Sequence, residues 1–186
     1  MEGLCYPFYP TQRHTVEAIV GAEKEESVAM LLSPTLSPPI APSKSSHHPS
    51  GSLFTIFLTA PLQAFCLLLG LSGSDVDRDI FNEADKLLSV SLNDWGLTLV
   101  TSDALNPVWL QTLADPFLRR LLLRFLFCQA VLMLYAPTFN KKEFLPMCMP
   151  PLPASVLPTT TNSQVVIRQI ASIFGVVDNF IFCEAS

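Results

Sequence analysis

Residues 53–71, LFTIFLTAPLQAFCLLLGL, contain no charged side chain. Such a run has few homes. A transmembrane helix needs about 20 consecutive apolar residues, and a helix that is apolar all round in a water-soluble fold must be buried on every side. A second stretch makes the same demand. Residues 121–139, LLLRFLFCQAVLMLYAPTF, contain one charge, Arg124, and lie between Arg119 and Arg120 on one side and Lys141 and Lys142 on the other. Pro61 and Gln63 in the first run and Arg124 in the second weigh against spans and favour buried helices.

The rest of the composition sharpens the same point. Hydrophobic residues make up 49% of the chain and charged residues 15%, with a mean hydropathy of +0.40. An ordinary soluble domain carries about 25% charged residues. The length is enough for one domain with a real core, but the apolar content exceeds what a small sphere comfortably hides. Another protein chain or a membrane is expected to cover the surplus. The net charge is −5 and there is no basic run, so nucleic acid is not an expected partner.

Two proline-rich stretches punctuate the chain. Residues 33–52, SPTLSPPIAPSKSSHHPSGS, have no periodicity, and proline there removes backbone donors and fixes φ. They read as a disordered linker closing a flexible N-terminal region, residues 1–52, in which Ser33-Pro34 and Ser37-Pro38 have the form of proline-directed phosphorylation sites. Residues 15–32 in that region have the makings of a loose helix interrupted by Gly21 and a charged block. Residues 53–186 form the expected helical hydrophobic domain, and residues 143–161, with five prolines, an extended arm within it.

Several helices are legible by spacing. In 74–90, Val76, Ile80, Phe81, Ala84, Leu87 and Leu88 recur at helical intervals, with Ser74 placed to cap the N-terminus and Asp75, Asp77 and Asp79 favoured by the helix dipole there. Asn93, Asp94 and Gly96 mark a turn, followed by a short strand or irregular crossing closed by Pro107. A helical pattern runs over 108–114, and Asp115-Pro116 restarts it. Over 117–135 the helix is amphipathic at first, with Arg119, Arg120 and Arg124 on one side, and apolar all round at its end. Residues 162–174 form a further helix that Gly175 stops, and VVDNFIFC has the composition of a strand. The expected fold class is therefore mainly α: an irregular helical bundle with a disordered Pro/Ser-rich N-terminal region and a short C-terminal strand.

Chemistry-bearing motifs are sparse. SDVDRDIFNE has alternate carboxylates, but a calcium loop counted from Asp75 would put Ile80 where glycine is needed and Lys86 where the bidentate glutamate is needed. His14, His47 and His48 lie far from any cysteine. The five cysteines, Cys5, Cys66, Cys128, Cys148 and Cys183, show neither zinc spacing nor a disulfide framework. No catalytic residue, cofactor or metal is expected. The segments LNDWGLTLV and VWLQTLADPFLRRLL are similar in outline to the groove-forming regions of Bcl-2-like proteins. Leu97 stands where that family has arginine, and the segments are too close together, so the family is not carried over.

The expected function is a non-catalytic interaction subunit or adaptor that buries an apolar helix face against a partner. The contact is expected from Trp109, Leu118, Leu121, Leu122 and Phe125, with the arginines as a polar rim. LRRLL, residues 118–122, fits a leucine motif that docks into hydrophobic grooves. The alternatives are a small membrane protein with spans at 53–71 and 121–139, and a truncated or spliced piece of a larger protein. The N-terminal decapeptide lacks the pattern of a signal peptide, which points to an intracellular, cytoplasmic setting. CEAS has the outline of a farnesylation box, making Cys183 a lipidation candidate.

Overall fold

The computed structural model describes residues 15–17, 28–42, 51–71, 76–153 and 161–182. Among them are strands β1 (Thr15–Glu17), β2 (Met30–Leu32) and β3 (Met147–Met149), and helices α1 (Leu53–Thr59), α2 (Pro61–Leu68), α3 (Arg78–Val100), α4 (Pro107–Ala114), α5 (Pro116–Leu134) and α6 (Thr161–Ile173). The fold is mainly helical, as expected. Helix α5 is its centre and packs against each of the other five helices.

The apolar runs divide as local chemistry dictates. Pro61 has no N–H to continue a helix, and it takes the first position of α2, where none is needed. Ala60, at φ −140° and ψ 73°, breaks the chain between α1 and α2. Gly70, at φ +68°, ends α2 in a left-handed turn: Leu71 N–H donates to the Cys66 carbonyl at 2.9 Å and Gly70 N–H to the Leu67 carbonyl at 3.1 Å. The second run ends at Leu134, with Tyr135 as C-cap, and its helix carries three arginines. No helix among the described residues is long and apolar enough to cross a membrane. The alternative of two spans at 53–71 and 121–139 is unsupported: the first run is split into α1 and α2, and α5 covers 116–134.

What the runs form instead is a core of rings and leucines. Phe57, Phe65, Leu68, Leu122, Phe125, Phe127, Cys128 and Val131 are fully buried. Phe127 of α5 lies between Phe57 at 6.1 Å and Phe65 at 6.3 Å, and Phe65 stacks on Phe180 at 5.6 Å. Aromatic pairs in this range add about 0.5–1.5 kcal/mol beyond the area they bury.

Four local expectations change. First, α3 runs through Asn93, Asp94 and Gly96, where a turn was expected, and absorbs the residues of the expected crossing. Its buried positions Ala84, Leu88, Ser91, Trp95 and Leu99 keep helical spacing throughout, so burial of one continuous face outweighs the weak helix propensity of Gly96 and its neighbours. Second, Asp77 caps α3, its carboxylate accepting from Asp79 N–H at 2.8 Å; Ser74 and Asp75 lie outside the described residues. Third, the two described ends of the expected 15–32 helix are strands. Thr15–Glu17 pairs antiparallel with Met30–Leu32, which pairs in turn with Met147–Met149, so a distant arm overrides local helical spacing. Fourth, the residues expected as a C-terminal strand form a 3-10 turn at Val177–Asn179 and a single bridge between Phe180 and Tyr135. Their apolar side chains are used in packing on α2 and α5 rather than in a ladder.

Of the Ser/Pro-rich stretch, residues 33–42 are described, and they lie along the body. Leu36 N–H and Thr35 Oγ1 both donate to the Glu143 carbonyl at 3.0 Å, and Ala41 N–H donates to the Leu68 carbonyl at 3.0 Å. This strap passes directly over Gly70, where a Cβ would lie 2.8 Å from the Pro42 carbonyl oxygen and 2.9 Å from that of Ala41. Gly70→Ala therefore meets both a left-handed backbone and two fixed carbonyls. It is expected to cost more than about 1–2 kcal/mol, the ordinary penalty for that backbone alone. Urea denaturation measures this, and a loss below about 0.5 kcal/mol would show that the strap gives way freely.

Candidate functional site

An open groove of about 380 Å³ lies between α3 and the α4–α5 corner. Ser89, Leu92 and Asn93 form one wall; Leu113, Ala114, Pro116, Arg119, Arg120, Leu123 and Arg124 form the other. Its volume falls at the small end of the range for ligand sites, about 300–1,000 Å³. No carboxylate lines it, although the chain as a whole carries a charge of −5.

The corner is built by capping. Asn106 caps α4 by accepting from Val108 N–H at 3.0 Å, and Asp115 caps α5 by accepting from Phe117 and Leu118 N–H at 2.8 Å each. Such caps are worth about 0.5–2 kcal/mol. They hold the first turn of α5 so that Arg119, Arg120 and Arg124 project along one side. Gly96 sets how closely α5 approaches α3. A Cβ there would lie 2.9 Å from Nη2 of Arg119 and 3.3 Å from Cδ1 of Leu123, so the missing side chain lets α5 approach the α3 backbone.

The three arginines differ in employment. Nη1 of Arg124 donates to the carbonyls of Leu58 at 3.0 Å and Thr59 at 2.8 Å, satisfying the open end of α1. Its pKa is lowered by burial and by the charge of Arg120, against a smaller opposing effect from Asp85. The guanidinium groups of Arg119 and Arg120 make no hydrogen bond or ion pair among the described residues. Like charges at the i,i+4 spacing of Arg120 and Arg124 cost an exposed helix about 0.2–0.5 kcal/mol.

Beside the groove runs an apolar margin. Val90, Asn93, Leu97 and Val100 share one stripe of α3 by their three- and four-residue spacing. Asn93 lines the groove, while Val90, Leu97 and Val100 are exposed by 62%, 56% and 51%. At the start of α5 Phe117, one turn before Arg120, is 65% exposed.

The expected contact residues are distributed differently. Trp109 is 1% exposed, and its Nε1–H donates to the Pro150 carbonyl at 2.9 Å. Leu122 and Phe125 are fully buried, while Leu118 and Leu121 are half-buried. Trp109, Leu122 and Phe125 are therefore core residues, held by the chain's own helices and unavailable to a partner in this conformation. The spacing that makes LRRLL look like a docking motif is the spacing that buries α5. Arg119, Arg120 and Arg124 line the groove together with Leu92, Leu113 and Leu123. The signal for it was Gly96 inside a helical pattern, where a missing side chain marks close approach. Cys183, His14, His47 and His48 lie outside the described residues.

Among the described residues no group of three or more His, Cys, Asp or Glu side chains is placed to hold a metal ion. Burial pushes the thiols of Cys66 and Cys148 up to about 11 and that of Cys128 well above its ordinary value, so they stay protonated near neutrality and are poor nucleophiles.

The family model described as Protein SCAI matches residues 11–139. The chain belongs to the SCAI family. Protein SCAI of mouse and of human are each 33% identical to it over 155 residues, covering 83% of this chain and 25% of theirs. The Protein SCAI homolog of Dictyostelium discoideum is 34% identical over 149 residues, covering 78% of this chain and 18% of its own. The chain thus spans about a quarter of the length of the mammalian relatives it matches. No solved structure matches it. The SCAI match contains both walls of the groove, residues 89–124, whereas β3 and α6 lie beyond it.

Proposed function

We propose that the chain is a non-catalytic helical interaction module that binds another protein through the α3/α4–α5 groove and its apolar margin. The observation that carries this reading is the exposed stripe Val90, Leu97 and Val100 beside an open groove, on a fold whose other large side chains mostly close into one core. Exposed apolar surface continuous with a groove and rimmed by polar groups is typical of protein interfaces. The buried thiols of Cys66 and Cys128 suit a reducing, cytoplasmic setting, where cysteine serves as a small hydrophobe.

The test is purification of the tagged full chain from its native cells beside the Leu97→Asp/Val100→Asp variant. Wild type is expected to bring down a stoichiometric second chain, and the variant to lose it while its unfolding temperature stays within a few degrees. A second chain retained by the variant would overturn the assignment of the surface. Wild type recovered alone, monodisperse and without dye-binding apolar surface, would overturn the function.

A further inference from the structure

Resting on that reading, we infer that the occupant of the groove is an acidic, apolar segment of a partner protein, its aliphatic side chains on Leu92, Leu113 and Leu123 and its carboxylates against Arg119 and Arg120. Charge complementarity is the argument. The chain is acidic overall, yet this groove gathers three of its eleven Lys and Arg residues and no carboxylate. Arg124 is committed to the Leu58 and Thr59 carbonyls, so it holds the wall and leaves its neighbours free. Arg119 lies over Gly96 and Arg120 is exposed, both without an anionic partner among the described residues.

Carboxylates placed there would relieve the repulsion between Arg120 and Arg124 and complete bidentate pairs that guanidinium forms readily. An anion alone would leave the apolar floor bare. An extended polyanion such as nucleic acid would have to follow three cations across a negatively charged molecule, against the field of the rest of the chain. An amphipathic segment satisfies both halves of the surface, since side chains at i, i+3 or i+4, and i+7 can seat in a groove while their neighbours reach its rim.

The experiment is selection of a displayed random peptide library on the immobilised full chain. Recovered peptides are then measured by fluorescence polarisation against wild type and the Arg119→Glu/Arg120→Glu variant. The expected winners are net negative, carry aliphatic residues at helical spacing, and compete with one another. Replacing their Glu and Asp by Gln and Asn, or reversing the two arginines, is expected to weaken binding at least tenfold. Circular dichroism checks that the variant keeps its helix content, and the milder Arg120→Ala should lose an intermediate factor. Enrichment of neutral or basic peptides, no enrichment at all, or equal binding to the reversed variant would overturn the inference. So would displacement of the winners by inorganic phosphate or single-stranded DNA at comparable concentration. Peptides that bind the stripe at Leu97 with no dependence on charge would leave the interaction module standing and remove only this occupant.

Discussion

Trp109→Ala is expected to destabilise the chain by about 3–5 kcal/mol, the usual range for truncating a large buried aromatic. Trp109 is almost fully enclosed, and its indole N–H is tied to Pro150, so the substitution opens a void and strips the Pro150 carbonyl of its donor. Chemical denaturation of the isolated chain reads the effect. Trp109→Phe separates the two contributions: it keeps most of the ring volume and loses the hydrogen bond, worth about 1 kcal/mol. Had Trp109 been a surface anchor for a partner, the alanine variant would fold as well as wild type and fail only in binding. A midpoint unchanged in denaturant would restore that reading and refute the core assignment.

Phe127→Ala should be as damaging, again by about 3–5 kcal/mol. Its ring is fully buried in the middle of α5, flanked by Phe57 and Phe65, so the void would open where three helices meet. Total stabilities of domains are only about 5–15 kcal/mol, and the variant is expected to unfold early and without a sharp transition. Phe127→Leu, closer in volume, should lose less. Phe117→Ala is the internal control, because that ring stands 65% exposed and a surface change is usually within about 0.5 kcal/mol. Similar losses at 117 and 127 would mean that the packing described around α5 is wrong.

These two variants also mark how far the sequence could be read. The burial of most of α5 beyond Arg124 was legible, since apolar residues all round the end of a helix leave little alternative in water. Asp115-Pro116 and Gly175 were legible as helix boundaries because their chemistry is local. The single turn assigned at Asn93, Asp94 and Gly96 was not, because the same residues suit a turn or a crossing point, and only the approach of Arg119 and Leu123 distinguishes them. The strands were hidden for a related reason: Met30–Leu32 gains its order from Met147–Met149, and no window of neighbouring residues contains both. The groove itself was half visible. The arginine side of α5 could be seen, but not which apolar residues it would border, since Trp109 and Leu113 sit one turn apart on α4 and differ only in which neighbour they meet.

The strap over Gly70 sets an order of events during synthesis. Residues 30–36 hold to Glu143 and to the strand at 147–149, whereas Ala41 holds to Leu68. As the nascent chain leaves the ribosome, the Ala41 anchor becomes available early, but the others appear only after α5 has emerged. Residues 30–36, made before every helix of the body, are thus among the last to be locked down. Contacts so widely separated along the chain slow folding and leave an unpaired edge waiting meanwhile. A strand edge left open in that interval is a template on which another chain can pair.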